Sequence, residues 1–216
     1  ERKVQGHAVK LVIYTSEAVI KIEPNLILRG SIYPAHRKDL CPSAQEHFGS
    51  FASMPTLSVA DLYGGKLCAA LDRQHPRDLF DVKLLLDDTG ITPEIRRSFV
   101  VHLAGHNRPM QELLLPNVLD IRSLYDGQFV GMAKEEVALP ELQRLQEDLP
   151  GILVKSLDEN ERDFLVSMKS GEPLWDSLGI ENLDRFPALQ WKLMNIHKMS
   201  PAKRDGALGC LQEILS

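Results

Sequence analysis

The hydrophobic pattern of this chain changes period once, near residue 58, and that change restricts it to a small β region followed by a body of helices. Before it, VKLVIY (9–14) and AVIKIEPNLIL (18–28) are β-branched and partly alternating, and with TSE between them they predict an antiparallel pair. Residues 29–57, rich in Pro, Ser and Gly, predict mainly loop with room for one short strand. Ser58 followed by Asp61 then has the form of a capping box with Asp in place of the usual Glu, and it opens a helix through about Arg73. Pro76 suits the first position of a second helix, which runs to about Asp88 before Gly90. Further helices are expected over 93–103, 109–115, 139–149, 159–170, 187–198 and 201–215, several of them opening at a proline. The expected class is α+β, with a short antiparallel β region over 1–57 and a helical domain over 58–216.

Composition narrows the function classes. With 216 residues, 44% of them hydrophobic, the chain can bury a substantial core. A net charge of −5 argues against a generally basic surface for nucleic acid and leaves room only for a local basic cleft. Cys41, Cys68 and Cys210 form neither a CxxC pair nor a Cys/His ligand spacing, which points to a reducing cytoplasm rather than a disulfide scaffold or zinc ribbon. No apolar run reaches about 18 residues, so no membrane span is expected. The chain opens on charged ERK without a signal-peptide pattern, and its start on Glu1 predicts a fragment.

The charges that matter lie in KLCAALDRQHPRDLFDVKLLL (66–86). At 100° per residue, Val59, Tyr63, Leu67 and Ala70 share one side of the first helix, and Lys66 and Arg73 fall inside that arc. Asp61, Gly65 and Asp72 take the opposite arc, which is expected to be solvated. In the second helix Leu79, Val82, Leu85 and Leu86 make the apolar arc, with Asp78 within it and Asp81 on its rim. Each charge has a plain structural account as well. An Asp in the first turn is favoured by the free N–H groups there, Asp81 can pair with Arg77 or Arg73, and Lys66 can snorkel. Together, however, two cations and two anions on facing apolar arcs need one another or a charged ligand.

The stretch LSVADLYGGKLCAALDRQHPRDLFDVKLLL resembles the K…A…R…RD…D signature of the AbiEii/AbiGii-type nucleotidyltransferase toxins, a branch of the polymerase-β-like nucleotidyltransferases. VIKIEPN resembles the family's strand with its third active-site carboxylate, and ENERDFLVSMKSGEPLWDSL…FPALQWKLMNIHKM its C-terminal helices. The resemblance implies transfer of a nucleotide from an NTP to an acceptor, such as a tRNA end or a protein, with Mg2+ or Mn2+, and a neighbouring antitoxin as partner. Residues 1–57 would then be the C-terminal part of the nucleotidyltransferase sheet region. By position, Lys66 would contact the triphosphate, Arg73 and Arg77 would support it or Asp78, Asp81 would complete the catalytic set, and Glu23 would stand on the metal side. Glu23 also reads as an exposed strand glutamate, and Pro24 limits its strand. The family's glycine-rich GGT/GS turn with its following DxD pair is not found, so the chain is expected to be a C-terminal portion, inactive by itself. The alternative is a helical interaction module with a degenerate nucleotide cleft and no catalysis.

Other signals are weaker. The GGK at 64–66 is no P-loop, because Ala60 stands at the first glycine and Leu67 at the Ser/Thr. His102 and His106 lack the glutamate of a metalloprotease helix and predict a surface pair. Trp175 and Trp191 are expected in the C-terminal helical core.

Overall fold

The structure, a computed structural model, describes residues 2–4, 7–23 and 30–216. The chain divides into two compact units, Glu1–Gly30 and Ser31–Ser216.

In the first unit, β1 (Arg2–Val4), β2 (His7–Tyr14) and β3 (Val19–Ile22) form an antiparallel sheet in that order. The β2–β3 turn is closed by Thr15, whose N–H donates to Ala18 O and whose hydroxyl accepts from Ala18 N, both at 2.9 Å. The register sets Leu11 against Ile22 and Ile13 against Ile20. The expected pair of strands is therefore present, while β1 carries no pattern that announces it. Of the expected second strand, residues 24–29 lie outside the described residues.

The second unit departs from the expected loop over 29–57. Strands β4 (His36–Asp39) and β5 (Ser53–Thr56) pair antiparallel, with helix α1 (Pro42–Phe48) between them. Sequence periodicity misses the strands because HRKD is exposed throughout and has no apolar alternation. Helix α1 starts with Pro42 in its first turn and stops at Gly49, whose φ of 57° ends it in the left-handed conformation.

The helical body follows as α2 (Val59–Arg73), α3 (Pro76–Asp88), α4 (Pro93–Ala104), α5 (Met110–Leu114), α6 (Arg122–Gln128), α7 (Leu139–Ser156), α8 (Glu159–Ser170), α9 (Pro187–His197) and α10 (Pro201–Leu215). Two corrections arise here. Helix α6 was not expected, although Ile121, Tyr125 and Phe129 recur at i, i+4, i+8. Helix α7 was expected to stop at Leu149, yet it runs through Pro150. Burial of Leu149, Leu153 and Leu157 along one side offsets the backbone bond that the proline removes.

The core centres on α2 and α4. Leu67, Leu71, Phe99 and Leu103 are all essentially buried, and Gly64 lets the two helices approach so closely that a Cβ there would lie 2.4 Å from Ser98 Oγ. The buried face of α2 (Ala60, Asp61, Gly64, Leu67, Cys68, Ala70, Leu71) is turned about a quarter of a revolution from the arc drawn around Val59. Val59 itself is exposed, and Lys66 and Arg73 flank the core instead of entering it. Trp175 packs at 6.4 Å from the Phe164 ring, whereas Trp191 stays 45% exposed and so departs from the expected core position.

Candidate functional site

Two residues, Gln74 and His75, join α2 to α3, and both act as caps. Gln74 ends α2 with φ 50° and ψ 32°, a left-handed conformation that costs a side-chain-bearing residue energy and must be held by contacts. Its buried amide supplies them: Nε2 donates to Asn117 O at 2.8 Å, and Oε1 accepts from Leu119 N at 3.0 Å and Gln146 Nε2 at 2.6 Å. His75 caps α3 by accepting the Arg77 N–H on Nδ1 at 3.2 Å. That leaves Nε2 as the protonated nitrogen facing Gln128 Oε1 at 3.4 Å.

The elbow sets the last turns of α2 against the first turns of α3. Arg73 Nη2 donates to Asp78 Oδ1 at 2.7 Å, and Lys66 Nζ donates to Asp81 Oδ2 at 2.6 Å. These two ion pairs sit on a cavity of about 470 Å³ that Arg77 and His75 also line. Phe80, Phe129 and Met132 form its apolar wall, with the Phe80 and Phe129 rings 5.4 Å apart and Phe129 backed by Tyr125 at 5.5 Å. Tyr125 is tied to Val137 O by a 2.8 Å hydrogen bond. The part of this wall that follows α6 (Met132, and Phe129 with Tyr125 behind it) is what sequence reading missed; Phe80 comes from α3.

The charges are unevenly spent. Asp78 is 9% exposed and held by Arg73, itself 61% exposed; Lys66 and Asp81 stand at 37% and 35%. Arg77 is exposed, and its guanidinium makes no ion pair or hydrogen bond among the described residues. Three cations thus face two carboxylates, and each carboxylate already has a partner.

Glu23 belongs to the first unit, where it is exposed and paired with Lys10 at 3.0 Å across β2 and β3. Among the described residues no group of three or more His, Cys, Asp or Glu side chains is placed to hold a metal ion.

Two further expectations are corrected. Asp61 is not solvated: it is 2% exposed, and its carboxylate accepts from Ile32 N at 2.9 Å, Tyr33 N at 3.0 Å, and the hydroxyls of Ser58 at 2.8 Å and Ser31 at 3.1 Å. The Ser58 hydroxyl in turn caps α2 by accepting Asp61 N. His102 and His106 are partly buried rather than surface residues, and each faces a carboxylate, Asp61 at 4.0 Å and Asp72 at 3.7 Å.

The helical unit thus carries one cavity in which three cations stand against two carboxylates, an excess of positive charge on a chain of net charge −5. A family model described as nucleotidyl transferase AbiEii toxin, type IV TA system, matches residues 1–195. The chain belongs to this AbiEii family of nucleotidyltransferase-like toxins. No curated protein and no solved structure matches it. No helix among the described residues is long and apolar enough to cross a membrane.

Proposed function

We propose that the α2–α3 cavity binds the phosphates of an NTP and serves transfer of its nucleotide to an acceptor such as a tRNA or a protein. The observation that carries this reading is the convergence of Lys66, Arg73 and Arg77 on one cavity beside Asp78 and Asp81. In the transfer, an acceptor oxygen bonds to the α-phosphorus while the bond to the bridging oxygen breaks. Pyrophosphate leaves with that electron pair, and the acceptor's proton is released to solvent or base. Lys66, with Arg73 and Arg77, holds the β- and γ-phosphates and offsets the charge that grows on the leaving pyrophosphate. Asp81 and Asp78 position the Lys66 and Arg73 head groups before the phosphates arrive.

The Mg2+ or Mn2+ that such chemistry uses does not fit the described residues on their own, because Asp78, Asp81 and Glu23 are each engaged by a cation. Glu23 is therefore proposed as a metal-side carboxylate only together with carboxylates such as a DxD pair. On this reading, residues 1–216 bind NTP weakly and do not transfer. The same observation favours the second reading, a helical module that retains the cleft without the chemistry. The family's type IV toxin–antitoxin membership supports a cognate antitoxin as partner.

Calorimetric titration with ATP, GTP, CTP and UTP tests the site. Binding should fall steeply with salt and be lost in Lys66→Ala/Arg73→Ala; binding unchanged by that pair of substitutions overturns the assignment. Labelled nucleotide, total tRNA or protein, and magnesium test the transfer. A form that carries the GGT/GS turn and DxD pair should label its acceptor, and Lys66→Ala or Asp81→Ala should lower its turnover by about 10²-fold. Robust labelling by residues 1–216 alone would show that the active site lies elsewhere.

A further inference from the structure

A second cavity, of about 410 Å³, opens among α5, α8, α9, α10 and the segment before α5. It contains a buried charge without a hydrogen bond or ion pair among the described residues, although Glu112 lines the same cavity. Lys169, in the last turn of α8, lines the cavity at 2% exposure, and among the described residues its ammonium makes no hydrogen bond or ion pair. The C-terminal end of a helix favours a cation, but only enough to offset part of such burial. Desolvation holds the Lys169 ammonium below the usual lysine range, against the pull of Glu112 and with the push of Lys203. Glu112 is itself drawn to Arg108 at 3.6 Å.

The neighbours of Lys169 are equally unspent. Gln111 lines the same cavity, and its buried Oε1 accepts no hydrogen bond. Lys203, exposed at its mouth, adds a second cation. Lys192 plays a different part, since its ammonium already donates to His106 O at 2.7 Å and Arg108 O at 2.8 Å, which ties down the segment bordering the cavity. Trp191, on the same helix as Lys192, leaves 45% of its surface exposed beside the two cations. A buried cation that Glu112 attracts without pairing, a buried acceptor without a donor and an exposed indole around one cavity are each costly or idle alone, and a single ligand answers all three.

We propose that this cavity binds a small phosphorylated molecule of the nucleoside monophosphate class, with its phosphate on Lys169 and Lys203, its flat ring against Trp191, and a ring N–H donating to Gln111 Oε1. Two ammonium groups match a doubly charged phosphate better than a single carboxylate, and the volume falls within the about 300–1,000 Å³ usual for small-molecule sites. The site is independent of the NTP reading of the α2–α3 cavity.

The test is a magnesium-free titration of residues 1–216 with AMP, GMP, CMP and UMP, read by tryptophan fluorescence, with inorganic phosphate as competitor. At least one monophosphate should quench saturably, and phosphate should reverse the quench. Trp191→Phe should remove the signal while Trp175 still emits. Lys169→Met should weaken binding by about tenfold or more and, because it deletes an unpaired buried charge, melt a few degrees higher than the parent. Lys203→Ala, at an exposed position that cannot disturb the core, should also weaken binding and carries the test if Lys169→Met does not fold. Lys66→Ala, in the other cavity, should keep the quench, which separates this site from the NTP site. Absence of a saturable quench with all four monophosphates, or parental affinity in both Lys169→Met and Lys203→Ala, overturns the proposal.

Discussion

Asp61 shows how a single carboxylate can organise a fold from a position that helical spacing assigns to solvent. Three of its four hydrogen bonds tie residues 31–33 to the start of α2, the fourth coming from the cap residue Ser58, and two of the donors are backbone N–H groups that have no other role in a strand or helix. Asp61→Ala should therefore lower the unfolding free energy by about 2–4 kcal/mol in urea denaturation, well beyond the cost of an ordinary surface substitution. The local half of this arrangement was legible, since Ser58 and Asp61 stand at capping-box spacing. The distant half was not, because Ile32 and Tyr33 lie in a segment without periodicity. Gln74 was hidden for a similar reason: only its bonds to Asn117, Leu119 and Gln146 explain a glutamine in the left-handed conformation. The cations were easier. Lys66 and Arg73 are two turns apart, so any helix places them on one side, but the partner of Asp81 was not legible: the sequence pairs it with Arg77 or Arg73, and the structure pairs it with Lys66.

Among the elements, the α2–α4 contact sets the geometry on which the cavity rests, and the adjacent glycines of α2 have opposite roles in it. A Cβ at Gly64 would meet Ser98 at 2.4 Å and its backbone at 2.8 Å, while one at Gly65 meets nothing within 4 Å. Gly64→Ala should destabilise by about 1–3 kcal/mol as α4 is forced outward, whereas Gly65→Ala should stabilise by about 0.5–1 kcal/mol through helix propensity. Chemical denaturation of the two single variants measures both, and equal effects would refute the close-packing account. Helices that begin at a proline and carry an apolar stripe were legible, as α3, α4, α9 and α10 illustrate. The polar strand β4, the short helix α6 and the passage of α7 through Pro150 were not. Each depends on tertiary packing that overrides a weak or contrary local signal.

For the whole molecule, the resemblance carried by the K…A…R…RD…D stretch reached further than periodicity could, and the family match over residues 1–195 agrees with it. The apolar wall of the cavity stayed invisible, because Phe80 and Phe129 meet only once α3 and the end of α6 are folded together. The two ion pairs across α2 and α3 also set a rule of admission. Asp78 and Asp81 occupy the cations in advance and so compete, as tethered anions, with anything arriving from solution. On the NTP reading proposed above, a singly or doubly charged anion gains too little to evict them, whereas a triphosphate replaces both at once and engages Arg77 as well. On that reading the cavity acts as a valence filter that stays closed to abundant phosphate. Asp81→Asn should let inorganic phosphate displace a fluorescent NTP at about tenfold lower concentration than in the parent, so that selectivity by charge number is lost while affinity for the triphosphate is kept.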